Sequence, residues 1–266
     1  EAAEKKRVAI VGAGPAGCEA ALTASKRGHQ VTLFEKRGFG GAMVEASRPD
    51  NKANIRRLIR YYEEHILADP NITLVKENAD FDTLAHGGFD AVILANGGKT
   101  RRLQVPGGDS EQVLYANDYL LGNRKAEGTR AVVIGGGITG AETALELLRE
   151  GKEVTIVEMA DAFLAAPGSA SQAYGIEIAQ SPIRILTGKR LIEVQPGQIR
   201  LTDRWGNGSV LETDCVVVAA GYLPQNELAD RLEQETDLEV FHVGDSKKVR
   251  QIYDAIHEGF AAARQI

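Results

Sequence analysis

One glycine-rich pattern occurs twice in this 266-residue chain and constrains the fold more than any other feature. The first copy reads GAGPAGCEAALTASKRGHQVTLFE from Gly12 to Glu35, and the second reads GGGITGAETALELLREGKEVTIVE from Gly135 to Glu158. Each copy follows a short apolar, β-branched run and ends on a glutamate after a second such run. This order predicts two β-α-β units with buried parallel strands and right-handed crossovers.

The glycines of each turn have distinct predicted roles. In a GxGxxG turn between a strand and a helix, the first glycine permits the tight turn and the second lets the backbone approach a pyrophosphate. The third lets the helix pack closely on the strand, and the free N–H groups at the helix start attract the phosphates. The predicted phosphate-binding residues are Gly12, Gly14, Pro15, Ala16 and Gly17 in the first copy and Gly135, Gly137, Ile138, Thr139 and Gly140 in the second.

A glutamate ends each copy at the position where an acidic residue binds an adenosine ribose. Glu35 follows Gly14, and Glu158 follows Gly137, at the spacing of about 20 residues that this motif requires. A carboxylate there accepts hydrogen bonds from the ribose hydroxyls and repels a 2′-phosphate, so Glu158 favours NADH over NADPH. Arg149 and Lys152 lie nearby in the sequence and leave NADPH open as the alternative.

The order of the strands indicates that the second unit is inserted in the first. Val92 to Ala95 and Val216 to Ala219 are apolar strands followed by glycines, and each is expected to close one unit. The tail, with a strand from Glu239 to Val243 and a helix from about Ile252, is predicted to return to the first unit. We therefore expect an α/β fold of two nested Rossmann-like dinucleotide-binding domains, with parallel sheets and small antiparallel β insertions. The predicted domains are residues 1–108 with 222–266, and residues 109–221.

Composition and charge argue against several other classes of protein. A net charge of -6 gives no footprint for nucleic acid or an anionic membrane, and no apolar run reaches the roughly 20 residues of a membrane span. Cys18 and Cys215 form no CxxC pair, and the histidines show no metal-ligand spacing. We expect a cytoplasmic, reducing location, no metal site and no catalytic side chain.

Two shorter motifs also carry predictions. The segment Arg204 to Gly208 reads RWGNG and predicts a hairpin, with Trp205 at its tip rather than in a stacking platform. Gly244–Asp245 follows a predicted strand, and Asp245 is placed to reach a ligand hydroxyl or phosphate. Asp254, Ala255 and Ile256 are expected to begin the final helix, whose N–H groups would face an electron-rich ligand.

Three segments together resemble a known arrangement: VAIVGAGPAGCEAA, VVIGGGITGAETALELLREGKEVTIVE and VGDSKKVRQIYDAIHEGFAAARQI. They resemble the flavoprotein disulfide reductase fold with its two dinucleotide domains. Within that fold, the chain is most similar to the C-terminal module of the group containing 2-enoate reductase, 2,4-dienoyl-CoA reductase and trimethylamine dehydrogenase. In that group the module follows an old-yellow-enzyme barrel that carries FMN and an iron–sulfur cluster. The resemblance extends over essentially the whole chain.

The resemblance implies FAD in the first unit and NADH in the second, with Gly221 near the path of the nicotinamide. It also implies a hydride transfer from NADH to FAD and onward electron transfer to an FMN or iron–sulfur domain outside this chain. Two alternatives stay open: a redox-inert module that holds ADP instead of FAD, and a stand-alone NADH oxidase or diaphorase. Besides the first turn and Glu35, the implied flavin-site residues are Lys36, Gly41, Ala79, Ala95, Asn96, Gly97, Gly244, Asp245, Ala255 and Ile256.

The chain departs from the pattern of this group at several positions. The usual Ala-Thr-Gly at the close of the first unit is Ala95-Asn96-Gly97, and the cysteine often found after Gly-Asp is Ser246. The vicinal cysteines of the disulfide reductases are missing, so we do not expect thiol chemistry.

Overall fold

The computed structural model describes residues 1–266, apart from the side chain of Asp50. It divides into two compact units, Glu1–Thr100 with Tyr222–Ile266, and Arg101–Gly221. The first stretch of the first unit contains β1 (Arg7–Val11), α1 (Pro15–Lys26), β2 (Gln30–Phe34), α2 (Met43–Ala46), α3 (Ala53–Ala68), β3 (Ile72–Val75), α4 (Phe81–His86), β4 (Ala91–Leu94) and β5 (Lys99–Thr100).

The second unit follows, and the chain then returns to the first. The second unit contains β6 (Val113–Tyr115), α5 (Ala116–Leu120), β7 (Arg130–Ile134), α6 (Ile138–Arg149), β8 (Glu153–Val157), α7 (Ser169–Ala179), β9 (Arg184–Leu186), β10 (Arg190–Gln195), β11 (Gln198–Thr202), β12 (Gly208–Glu212) and β13 (Cys215–Val218). The returning stretch contains β14 (Tyr222–Leu223), α8 (Glu227–Glu235), β15 (Glu239–His242) and α9 (Ile252–Gln265).

The two units have central sheets of the same design. Five parallel strands lie in the order β15-β4-β1-β2-β3 in the first unit and β6-β13-β7-β8-β9 in the second. In each sheet, the strand before the glycine turn is central and lies between the strand after the turn and the strand that closes the unit. The returning strand β15 completes the first sheet, so the predicted α/β fold of two nested Rossmann-like units is confirmed.

Apolar clusters cover both faces of each sheet. In the first unit, Val8 and Ile10 of β1 pack with residues of α1, α3 and α9, while Ala9 and Val11 face the opposite cluster with α4 and α8. In the second unit, one face packs on α5, α6 and α7, and the other face packs on the antiparallel sheet β10-β11-β12. The alternation along β1 follows from the period of two in a strand that is buried on both faces.

Several local predictions differ from the structure. The helical composition of residues 18–26 predicts a helix from Cys18, but helix α1 begins at Pro15, because proline is favoured in the first turn of a helix. The first unit ends at Thr100 rather than at residue 108, because residues 101–108 form hydrogen bonds with the second unit. The backbone N–H of Leu103 donates to Tyr115 Oη at 3.1 Å, and the backbone N–H of Val194 donates to the carbonyl of Pro106 at 2.9 Å. Helices α2, α4, α7 and α8 were not predicted. No helix among the described residues is long and apolar enough to cross a membrane.

Candidate functional site

The first and third glycines of the first turn are required by the protein's own packing. A Cβ at Gly12, where φ is +101°, would lie 2.4 Å from the carbonyl oxygen of Ala95. A Cβ at Gly17 would lie 1.8 Å from the carbonyl oxygen of Gly12. Neither position can hold a larger residue unless the backbone moves, which agrees with the tight turn and the close helix packing expected there.

The second glycine has a different environment. A Cβ at Gly14 would meet no heavy atom nearer than Gly41 Cα, at 4.0 Å. Helix α1 starts at the next residue, Pro15, and no side chain caps it. The first turn therefore presents open space beside uncapped backbone N–H groups, which is the arrangement that accommodates a phosphate.

Glu35 is anchored to this turn by its side chain. Its Oε2 accepts a hydrogen bond from the backbone N–H of Ala13 at 2.8 Å, and its Oε1 accepts one from that of Arg37 at 2.5 Å. Oε1 also accepts a longer hydrogen bond from the backbone N–H of Gly38, at 3.4 Å. A carboxylate has about four acceptor positions, so Oε2 keeps capacity for a further donor such as a ribose hydroxyl. Lys36 is exposed beside it.

The loop after Glu35 lies across the turn. The backbone N–H of Gly40 donates to the carbonyl of Ala13 at 2.8 Å. Gly41 has a φ of +52°, and a Cβ there would lie 3.0 Å from Gly14 Cα. This close approach explains the glycine at position 41 and places it against the middle glycine of the turn.

The segment that closes the first unit also reaches the turn. Ala95 is buried and contacts Gly12. Gly97 has a φ of +71°, and a Cβ there would meet no heavy atom within 4 Å. The Oδ1 atom of Asn96 is buried without a hydrogen-bond partner among the described residues. Ala79 is buried in the cluster of Val11 and Phe34, at the carboxyl ends of β1 and β2.

Gly244, Ala16 and Ala255 meet at the start of α1. A Cβ at Gly244, where φ is +67°, would lie 3.1 Å from Ala16 Cβ and 3.8 Å from Ala255 Cβ. The adjacent Asp245 is half-buried, and this burial raises the pKa of its carboxyl group. One of its oxygens accepts a hydrogen bond from the backbone N–H of Arg250 at 3.0 Å.

The final helix starts at the position that the sequence predicts. It begins at Ile252, and Asp254 lies in its first turn, where the carboxylate accepts a hydrogen bond from the backbone N–H of Gln251 at 3.1 Å. Ala255 is buried and Ile256 half-buried in the following positions. Sequence reasoning missed Gly259, where a Cβ would lie 2.1 Å from the carbonyl oxygen of Ala16. A glycine inside an amphipathic helix was the available signal for this contact.

The second turn repeats the geometry of the first. A Cβ at Gly135, where φ is +114°, would lie 2.4 Å from the carbonyl oxygen of Ala219, and one at Gly140 would lie 1.9 Å from that of Gly135. A Cβ at Gly137 would meet no heavy atom within 4 Å, and no side chain caps α6. Ile138 and Thr139 form the first turn of α6, and Gly221, with a φ of +79°, follows the closing strand β13.

Glu158 is held as Glu35 is. Its Oε2 accepts from the backbone N–H of Gly136 at 2.6 Å, and its Oε1 accepts from that of Ala160 at 2.6 Å. The loop beyond it also crosses the turn, since the N–H of Leu164 donates to the carbonyl of Gly136 at 2.9 Å. The second turn and Glu158 are therefore brought together around the start of α6, whereas no contact among the described residues places Gly221 there.

The basic residues considered from the sequence do not surround Glu158. Arg149 ends α6 and pairs with Glu146 and with Glu177 at 3.1 Å, and Lys152 donates to the carbonyl of Gly128 at 2.7 Å. Both precede β8, whereas Glu158 follows it. Two basic residues that the sequence did not indicate contact Glu158 or its following loop. The backbone N–H of Lys189 donates to the carbonyl of Glu158 at 3.0 Å, and the side chain of Arg204 pairs with Asp161 at 3.2 Å.

The other chemical groups offer no competing site. Cys18 and Cys215 are free and buried, and burial raises the pKa of Cys215 to about 11 and raises that of Cys18 further. Among the described residues, no group of three or more His, Cys, Asp or Glu side chains could hold a metal ion. The turns and their glutamates are therefore the features that call for a ligand.

Comparison with known proteins agrees with this geometry. The family model described as pyridine nucleotide-disulphide oxidoreductase matches residues 6–259. A cinnamate reductase from Clostridium sporogenes is 35% identical over 271 residues, and an NADH oxidase from Thermoanaerobacter brockii is 35% identical over 272 residues. Each match covers 100% of this chain, but only 40% and 42% of the two relatives.

A solved structure extends the comparison to the fold. A 2-naphthoyl-CoA reductase in complex with 2-naphthoyl-CoA matches with a TM-score of 0.89 and 31% identity, covering 100% of this chain and 40% of that one. The similarity is thus to one module of longer reductases. The chain belongs to the pyridine nucleotide-disulphide oxidoreductase family of flavoproteins, and it is an oxidoreductase module of the kind found in enoate-reductase-like proteins.

Proposed function

We propose that this module takes up electrons from NADH, with FAD bound in the first unit and NADH in the second. The observation that carries the proposal is the repeated turn geometry. In both units, the protein's own backbone occupies the space where a side chain of the first or third glycine would lie. Gly14 and Gly137, in contrast, have open space beside an uncapped helix start. Two equivalent anion-binding turns in one chain support two dinucleotides.

The residues of the first unit fit a flavin as well as its ADP half. Gly14 and Ala16 would hold the pyrophosphate, and Glu35 the adenosine ribose. Gly244, Asp245 and Ala255 gather at the same helix start, and they would hold the ribityl end. FAD, when bound, supplies the hydride acceptor. The chain's own part is to bind and orient the two nucleotides and to exclude water, which requires no acid or base from a side chain.

Glu158 supports NADH as the electron donor. Its carboxylate is fixed beside Gly136, and its negative charge opposes a 2′-phosphate. The cations of Arg149 and Lys152 are engaged at the other end of β8 and do not offset this charge. We propose contacts to this nucleotide from the second turn, from Glu158 and from Gly221.

The electron acceptor is proposed to lie outside these 266 residues. The chain spans 40% of the cinnamate reductase and 42% of the NADH oxidase that it matches, so both relatives contain a second large part. We propose that electrons pass to an FMN or iron–sulfur group in such a part, in a cytoplasmic setting. The name of the NADH oxidase relative supports a second function, in which this module reduces a small acceptor directly.

The visible spectrum of the purified protein tests the proposal. Bound FAD gives a yellow protein whose visible flavin absorbance is bleached by NADH without oxygen. Mass spectrometry of the released ligand then distinguishes FAD from ADP, and ADP alone would make the module redox-inert. The direct oxidase would be favoured if bleaching is followed by rapid turnover with oxygen or ferricyanide and if no electrons pass to a barrel partner. A protein that FAD cannot reconstitute contradicts the proposal.

A further inference from the structure

Four charged side chains flank the loop after Glu158: Asp161, Lys189, Asp203 and Arg204. Arg204 Nη1 lies 3.2 Å from Asp161 Oδ2, and Lys189 Nζ lies 3.5 Å from Asp203 Oδ2. The start of β10 brings these groups together, since the N–H groups of Gly188 and Lys189 donate to the carbonyls of Ala160 and Glu158. The second glycine turn and Glu158 thus have two nearby cations, each paired with an aspartate.

Arg204 is held in place on two sides. Its guanidinium carbon lies 4.6 Å from the centre of the Trp205 ring, and its Nη1 pairs with Asp161. The hairpin tip is tied together by the Asp203 carboxylate, which accepts hydrogen bonds from the backbone N–H groups of Trp205 and Asn207 at 3.0 and 2.9 Å. Trp205 lies at the predicted hairpin tip, but it stacks on a cation there.

Stability gives little reason for this arrangement. The side chains of Arg204 and Asp161 are 62% and 68% exposed, and exposed ion pairs contribute less than about 1 kcal/mol. Trp205 is the single tryptophan of the chain and is 73% exposed. A guanidinium held against an aromatic ring is, however, well suited to bind a phosphate when no carboxylate is paired with it.

We infer that Asp161 determines cofactor specificity by pairing with Arg204. This inference rests on the proposed nucleotide in the second unit. An arginine near the acidic position at the end of the second strand is the group that binds a 2′-phosphate in NADPH-dependent sites. Arg204 reaches the loop that follows Glu158 through its pair with Asp161. Asp161 neutralises this arginine and adds a carboxylate three residues after Glu158. The second unit therefore rejects NADPH twice, through Glu158 and through Asp161.

Binding of two ligands that carry only the adenosine end tests the inference without redox chemistry. Affinities for ADP-ribose and 2′-phospho-ADP-ribose are measured by calorimetry on the flavin-loaded protein at low ionic strength. We expect Asp161→Asn to increase the affinity for 2′-phospho-ADP-ribose about tenfold, as one new charge-assisted hydrogen bond allows, and to change that for ADP-ribose less than about twofold. The double variant Asp161→Asn with Arg204→Gln should return to the wild-type ratio.

The matched control is Glu177→Gln. It also removes one carboxylate from an exposed ion pair with an arginine of the second unit, but Arg149, its partner, precedes β8. The inference is overturned if this control gains as much affinity for 2′-phospho-ADP-ribose as Asp161→Asn does. It is also overturned if Asp161→Asn gains no affinity for that ligand while the wild type binds ADP-ribose. If the wild type binds neither ligand, the proposed nucleotide site of the second unit is itself wrong, and the inference falls with it. A gain that persists without Arg204 also contradicts it.

Discussion

The substitution Gly137→Asp separates binding at the second turn from the stability of the fold. A Cβ at Gly137 meets no heavy atom within 4 Å, so the new side chain needs no repacking. Gly137 is also the N-cap of α6, where aspartate is favoured over glycine by a few tenths of a kcal/mol. We therefore expect the free energy of unfolding to stay equal or to rise slightly.

NADH binding should weaken strongly in the same variant. The carboxylate would lie in the open space assigned to the pyrophosphate. Two like charges about 4 Å apart repel by about 1 kcal/mol in water and about 4 kcal/mol near a protein surface. This corresponds to a rise in Kd of about fivefold to several-hundredfold. The assay is anaerobic flavin bleaching as a function of NADH concentration, with thermal unfolding measured in parallel.

Gly208→Asp is the matched control for this experiment. Gly208, at the exposed start of β12, also has no heavy atom within 4 Å of an added Cβ, and the same charge is introduced. This variant should keep the wild-type Kd. If Gly137→Asp binds NADH within about twofold of Gly208→Asp, the pyrophosphate does not lie at this turn and the reasoning is refuted.

Three further predictions concern the first unit. Gly17→Ala should lower the free energy of unfolding, measured by chemical denaturation, by about 1–3 kcal/mol, because the new Cβ would lie 1.8 Å from the carbonyl oxygen of Gly12. A free energy of unfolding equal to that of Gly14→Ala would contradict the packing described. Glu35→Gln should lower the flavin content of the purified protein, because an amide nitrogen cannot accept the hydrogen bond from the N–H of Ala13 or Arg37. The flavin content is measured as the ratio of visible to ultraviolet absorbance. An unchanged flavin content would show that Glu35 has no part in binding. Burial, with Arg27 and Lys6 nearby, lowers the pKa of His29 in the folded protein. The unfolded chain therefore takes up the proton first, and the free energy of unfolding should fall as the pH drops below about 6.5. Between pH 8 and pH 5, His29→Gln should lose less free energy of unfolding than the exposed-site control His65→Gln.

The sequence predicted the elements whose signals are local. Strands β1 and β7 are continuous β-branched runs that end on glycine, and this signal follows directly from burial on both faces. Helix α7 was missed because its buried positions are Ser171, Tyr174 and Ile178, and a buried serine hides the apolar repeat. The neighbours of Glu158 were missed for another reason. Lys189 and Arg204 reach its loop through pairing of β10 with β11, which no local pattern reports.

The two turns share one backbone hydrogen bond that does not depend on residue type. In both units a backbone N–H of the loop after the glutamate donates to the turn, from Gly40 to Ala13 and from Leu164 to Gly136. Gly40 has a φ of +109°, at no steric cost, whereas Leu164 has a φ of +51°, a conformation that costs a branched residue about 1–2 kcal/mol. Packing of Leu164 against the apolar cluster of α6 and α7 offsets this cost. The residue that donates this hydrogen bond is a glycine in one unit and a leucine in the other, but the hydrogen bond is the same. Both units therefore require a loop that closes over the turn and holds the glutamate carboxylate beside it.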